Sequence, residues 1–167
     1  MMPRSGASRT VVEQPRNPRG VEAQLWLAVM DFHGDLFVRL NQALGKEFGL
    51  TLAKFDVLAQ LYRFRQGLTQ VLLSRHLKVT GGNVTGLVRR LAADKLITRE
   101  TSPEDRRAVV VRATPKGIAL YCAARQRHDA LLEKWFEQIS KEDLRDALTS
   151  LSSVSSRLGP DRRESKI

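Results

Sequence analysis

Residues 68–95 read LTQVLLSRHLKVTGGNVTGLVRRLAADK, and the spacing within this stretch decides the fold. Leu68 and Thr69 open a short helix over 70–77, and Lys78, Val79 and Thr80 make a turn. Thr80 stands where a fourth helix, from 81 to about 95, needs a capping hydroxyl. Two helices joined by so short a turn form a helix-turn-helix. In the second of them Val84, Leu87, Val88 and Leu91 recur at helical spacing and must face a core. The first turn, by contrast, is small and polar.

Downstream, Ile97 to Thr101 and residues 107–113 are rich in β-formers, with Val109, Val110 and Val111 in the second run. They flank Ser102, Pro103, Glu104, Asp105 and Arg106, a charged turn, so a β-hairpin with a polar tip is predicted. Thr114-Pro115 is a helix start, a hydroxyl cap followed by a residue whose missing N–H costs nothing there. The fifth helix is predicted to run to about 139. Ser140 to Asp143 resembles a capping box with Asp in place of Glu, and Leu144, Leu148, Leu151, Val154 and Leu158 repeat behind it as a sixth helix. Upstream, Val21, Leu25, Val29, Phe32, Leu36 and Leu40 form one stripe of a long first helix over 21–48. Gly49 stops it, and Thr51 caps a second helix to about 64 with Leu52, Phe55, Leu58 and Leu61 inward.

The order predicts a mainly α fold with a small β-wing: a winged helix-turn-helix lobe over 51–117 inside a single domain spanning 21–158. The helices at 21–48 and 115–158 carry apolar stripes with little local partner, so they are expected to form a dimerisation lobe in a homodimer. Residues 1–20, with Arg4, Arg9, Arg16 and Arg19 among three prolines, read as a disordered basic arm, and 159–167 as a charged tail.

Charge says where a partner sits. The chain carries 28 Lys and Arg against 18 Asp and Glu, a net of +10, which points to a polyanion, with nucleic acid ahead of an anionic membrane. Residues 51–117 alone hold thirteen basic and five acidic residues, +8 of that total. The longest apolar run of the first helix, Leu25 to Met30, is far below the ~20 residues a bilayer needs, so no membrane association is expected. A single cysteine, Cys122, forms no internal disulfide, and the cytoplasm is the expected location. Cys122 reads as a small buried apolar residue more readily than as a redox sensor. His33, His76 and His128 lie on different helices without ligand spacing, so no metal or other cofactor is expected. No phosphate loop or nucleophile-base arrangement supports an enzyme.

Leu68-Thr69-Gln70, Val79-Thr80, Asn83-Val84-Thr85, Leu87-Val88, Arg90-Leu91, Leu96-Ile97, Asp105-Arg106-Arg107 and Ala113-Thr114-Pro115-Lys116-Gly117 together resemble the multiple antibiotic resistance regulator (MarR) family. The resemblance covers about 21–158 and is most specific over 68–117. It implies that the fourth helix enters the major groove of double-stranded DNA while the wing reaches the adjacent minor groove. Thr80, Asn83, Thr85 and Arg89 then become candidate base readers, since Asn pairs bidentately with adenine and Arg with guanine. Gly81 and Gly82 let the backbone approach and offer amides to a phosphate. Arg106 and Arg107 are the wing candidates, and Arg75, His76 and Lys78 suit phosphates. Many members carry Arg where this chain has Gly86, and an acidic residue where it has Arg89, so a shifted base-contact pattern is expected. Asp105 fits a turn or an orienting partner better than a DNA contact. Arg90 has two equal readings, pairing with Asp94 at i, i+4 or touching DNA.

The resemblance also implies a small effector, an anionic aromatic compound or its coenzyme A thioester. Trp26, His33, Phe37, Phe55 and Tyr62 are candidates for an aromatic-lined site, though each reads more readily as core or dimer interface. The implied activity is a ligand-released repressor on a pseudo-palindromic promoter site. The alternative is a winged-helix interaction or architectural module with only nonspecific DNA affinity.

Overall fold

The computed structural model describes residues 20–101 and 108–159. Its elements are α1 (Val21–Phe48), α2 (Leu52–Arg63), β1 (Leu68–Thr69), α3 (Gln70–Leu77), α4 (Gly81–Ala93), β2 (Ile97–Thr101), β3 (Val109–Ala113), α5 (Pro115–Trp135) and α6 (Lys141–Arg157). The basic arm up to residue 19, the wing tip with Arg106 and Arg107, and the tail from 160 lie outside the described residues.

The chain divides into two compact units, residues 1–39 and 40–167. In the first, residues 21–39 are helical, and Trp26, Met30, Phe32, Phe37 and Val38 are exposed. The second holds the winged helix. Here the end of α1 contributes Leu40 and Leu44 to a core completed by Leu58 and Leu61 of α2, Leu73 of α3, Val84, Val88 and Leu91 of α4, and Val111 of β3. Each side chain of this size stabilises by roughly 1.5–3 kcal/mol when fully buried.

Local chemistry fixes the boundaries. Gly49 takes φ 64°, its amide donates to the Gly45 carbonyl and that of Leu50 to the Leu44 carbonyl at 3.3 Å. This left-handed closure ends α1 and buries Leu50 behind it. The next turn begins at once, because Thr51 Oγ1 accepts from Lys54 N–H and Asn41 Oδ1 accepts from Leu52 N–H at 3.0 Å. Thr69 and Ser140 cap α3 and α6 in the same way. Asp143 accepts from the Ser140 hydroxyl at 2.8 Å, so the shorter acid closes a side-chain loop at the head of α6.

Two elements differ from the sequence reading. Leu68 and Thr69 form a strand, antiparallel to β3 with Leu68 opposite Val111, so the wing is a three-stranded sheet in the order β1-β3-β2. Two residues are too few to show an alternation. The fifth helix ends at Trp135, four residues early: Phe136 leaves the helical region, Ile139 N–H donates to the Phe136 carbonyl, and the chain turns into the Ser140 cap. No Gly or Pro marks that turn. In α6 no residue is buried, and Leu148, Leu151, Val154 and Leu158 are exposed. No helix among the described residues is long and apolar enough to cross a membrane.

Candidate nucleic-acid interface

The face α4 presents follows from what it buries. Val84, Val88 and Leu91 are 0% exposed, and at 3.6 residues per turn the line opposite them runs through Gly82, Gly86 and Ala93. The midline of the outward face is therefore almost without side chains. Thr85 and Arg89 rise along one flank, and Asn83 and Arg90 along the other; all four are exposed. A helix built this way brings its backbone close to a groove floor and lines both walls with polar groups.

The predicted site residues fall into distinct environments. Thr80 occupies the N-cap position of α4, but its hydroxyl makes no capping bond and stays available to a ligand. Gly81 and Gly82 form the opening turn, where a Cβ would meet nothing within 4 Å. The Thr85 hydroxyl is engaged, 3.0 Å from the Gly81 carbonyl and 3.1 Å from the Gln70 side-chain amide. Its orientation on α4 is thus set from α3. Gln70 escapes a reading of the sequence, because a contact across fifteen residues leaves no periodic signal.

Arg75 and His76 sit in the last turn of α3, and Lys78 closes that helix in the left-handed region at φ 54°. His76 leans on Phe64 with ring centroids 4.8 Å apart, while Arg75 and Lys78 are exposed. The open choice for Arg90 resolves against the i, i+4 pair. Asp94 is bound instead by Lys54 Nζ at 2.7 Å, and Arg90 reaches back over Gly86. A recess of about 400 Å³ lies along this flank, lined by Ala53 and Val79 with Gly82, Asn83, Gly86 and Arg90.

A second concavity lies between α2 and α5, about 470 Å³ in volume. Phe55 and Tyr62, two of the candidates for an effector site, line it with Gln60, Tyr121, Arg125 and His128. Tyr62 and Phe55 pack on Tyr121 at 5.0 and 5.3 Å, and His128 stacks on Phe55 at 5.2 Å. The buried Gln60 Oε1 has no hydrogen-bond partner among the described residues, an acceptor left for a ligand or water. Burial pushes the Tyr121 hydroxyl above its ordinary value against the nearby Arg125. Trp26, His33 and Phe37 belong to the first unit, where the His33 and Phe37 rings lie 5.9 Å apart. Tyr121, Arg125 and His128 are not among the residues the sequence singles out for this role, although their i, i+4, i+7 spacing puts them on one face of α5.

Comparison with known proteins agrees with this architecture. A family model described as MarR family matches residues 48–108. An uncharacterized HTH-type transcriptional regulator of Bacillus anthracis is 30% identical over 127 residues, covering 76% of this chain and 83% of the relative. The crystal structure of a MarR family transcriptional regulator from Silicibacter pomeroyi is 34% identical, covers 83% of this chain and 95% of its own, and superposes with a TM-score of 0.73. The S. aureus MepR-DNA complex is 28% identical over 81% of this chain and 98% of its own, with a TM-score of 0.71. With the recognition helix, the three-stranded wing and these matches together, the chain belongs to the MarR family of winged helix-turn-helix transcriptional regulators.

Proposed function

We propose that the protein acts as a ligand-released repressor, a homodimer that binds a pseudo-palindromic promoter site on double-stranded DNA. The carrying observation is the outward face of α4, where four polar side chains flank a glycine midline in the lobe that holds +8 of the chain's charge. Asn83, Thr85 and Arg89 contact bases. Thr80 joins them at the head of the helix, Arg75, His76 and Lys78 hold phosphates together with the amides of Gly81 and Gly82, and Arg106 and Arg107 enter the minor groove. The exposed apolar stripes of α6 and of residues 21–39 support the dimer, whose two copies of α4 stand about 34–36 Å apart.

The cavity between α2 and α5 is the effector seat. Its rings suit a flat aromatic body, Arg63 of its lining suits an anion while Arg125 is shared with Asp129 of the same lining at 3.5 Å, and Gln60 accepts from a ligand hydroxyl. An aromatic acid fits this chemistry, as does the acyl end of its coenzyme A thioester. α2 contributes to the core of the DNA-binding lobe, and α5 packs against α2. A ligand that fits better when the two helices are spread therefore favours a spacing of the recognition helices that DNA rejects. Footprinting of the full chain on its own promoter tests the reading. Two protected half-sites about one helical turn apart are expected, and a single unsymmetric patch contradicts the dimeric repressor.

A further inference from the structure

We propose that Arg90, laid over Gly86, is a specificity-determining residue of α4 that selects a guanine in each half-site; this rests on the DNA-binding reading above. The guanidinium has a defined seat. Its Nη1, Nη2 and Cζ atoms lie 3.6, 3.8 and 4.0 Å from the point where a Cβ on Gly86 would stand. The side chain thus runs one turn back toward the helix N-terminus, the direction helical side chains favour, and ends on the bare midline of the exposed face.

The group is also uncommitted. Its natural intrahelical partner, Asp94, is taken by Lys54 from α2 at 2.7 Å, and Lys116 Nζ holds the Asp94 carbonyl at 3.2 Å. The end of α4 is thereby neutralised by two lysines from other elements, and no carboxylate pairs with Arg90 among the described residues. A guanidinium offers five donors in a planar fork that matches O6 and N7 of guanine, whereas an ammonium is a point charge without that directionality. Arg89, its neighbour, stands on the opposite flank with Thr85.

Position narrows the target further. Asn83 and Arg90 share one flank and the same recess, two turns apart along the helix. Because Arg90 folds back by a turn, the two reading groups are separated by about one helical pitch, ~5.4 Å. At ~3.4 Å per base step, the guanine stands one or two base pairs from the base that Asn83 reads.

The test is selection from a library of random duplexes by the full chain and by its Arg90→Ala, Arg90→Lys and Gly86→Ala variants, with thermal unfolding of each as the folding control. The wild-type chain is expected to enrich a motif containing a G·C pair at that spacing. Arg90→Ala is expected to lose preference at that pair alone, with discrimination falling from between about tenfold and a hundredfold to near one, while Arg90→Lys keeps a weaker preference there because an ammonium still donates to guanine but without the planar fork. Gly86→Ala is expected to keep it, because the added methyl meets the guanidinium at ordinary contact distance. Retention of every base preference by Arg90→Ala, with uniformly weaker binding to all duplexes, overturns the proposal and makes Arg90 a phosphate contact. Enrichment of no motif by the wild-type chain overturns the sequence-specific reading itself, a distinguishable failure.

Discussion

Gly117, in the first turn of α5, packs directly against the backbone of Leu96 at the entry to β2, so that a Cβ there would overlap the Leu96 carbonyl. The contact is one part of a clasp. Thr114 N–H donates to the Leu96 carbonyl at 3.0 Å, and the Thr114 hydroxyl donates to the Lys95 carbonyl at 2.9 Å while accepting from Gly117 N–H at 3.0 Å. Both ends of the wing are pinned at this point, just behind the C-terminus of α4. Gly117→Ala is expected to destabilise the fold by about 1–3 kcal/mol through overpacking against backbone that cannot yield. Denaturant unfolding of the variant checks this, and an unchanged midpoint contradicts the clasp.

Asp56 supplies a pH dependence. It is exposed on α2, yet partial desolvation by its surroundings raises its carboxyl above the ordinary value, and His128 offsets this only in part. A raised carboxyl favours the fold when protonated, so its contribution is fully present below the ordinary carboxylate pKa and lost as pH rises through the folded one. Because water screens an exposed group, Asp56→Asn is expected to raise the unfolding midpoint at pH 7 only slightly, with the gain disappearing at pH 3. A variant that is less stable at pH 7 would mean that attraction to His128 outweighs desolvation.

The exposed leucines of α6 predict an oligomeric change. Leu148 and Leu151 are 66% and 44% exposed, and their burial against a second copy is the simplest way to satisfy the stripe. Light scattering on the Leu148→Lys, Leu151→Lys double variant is expected to read the mass of one chain, against two for the wild type. A wild-type monomer would remove α6 from the interface.

The effector seat predicts a selective loss. Gln60→Ala and Tyr121→Phe are expected to weaken the thermal upshift produced by a hydroxylated benzoate or cinnamate, leaving DNA affinity without ligand unchanged. Equal upshifts in both variants and the wild type would move the effector elsewhere.

Much of the architecture is legible in the sequence because it is encoded locally. The helix-turn-helix shows in the Leu and Val spacing of 68–95, and Thr51, Thr69, Thr114 and Ser140 announce helix starts through a hydroxyl at the right offset. The features that are not legible depend on long separations. Lys54 takes Asp94 across forty residues, while Arg90 lies back over Gly86. Gln70 orients Thr85 from another helix, and the cavity needs α5 packed on α2. Residue type allows many partners at such distances, and only the packed fold chooses among them. Thr80 shows the converse: its position is readable, but the hydroxyl left unbonded is not.

Base reading by α4 is measured as the affinity of the full chain for its own promoter relative to a shuffled duplex of equal length, at one fixed salt concentration, with Asn83→Ala alongside. A ratio of at least about a thousand is expected for the wild type, with Asn83→Ala costing roughly 1–3 kcal/mol of that discrimination. A ratio near one, unchanged by Asn83→Ala and falling steeply with salt for both duplexes, would contradict it and leave only electrostatic attachment.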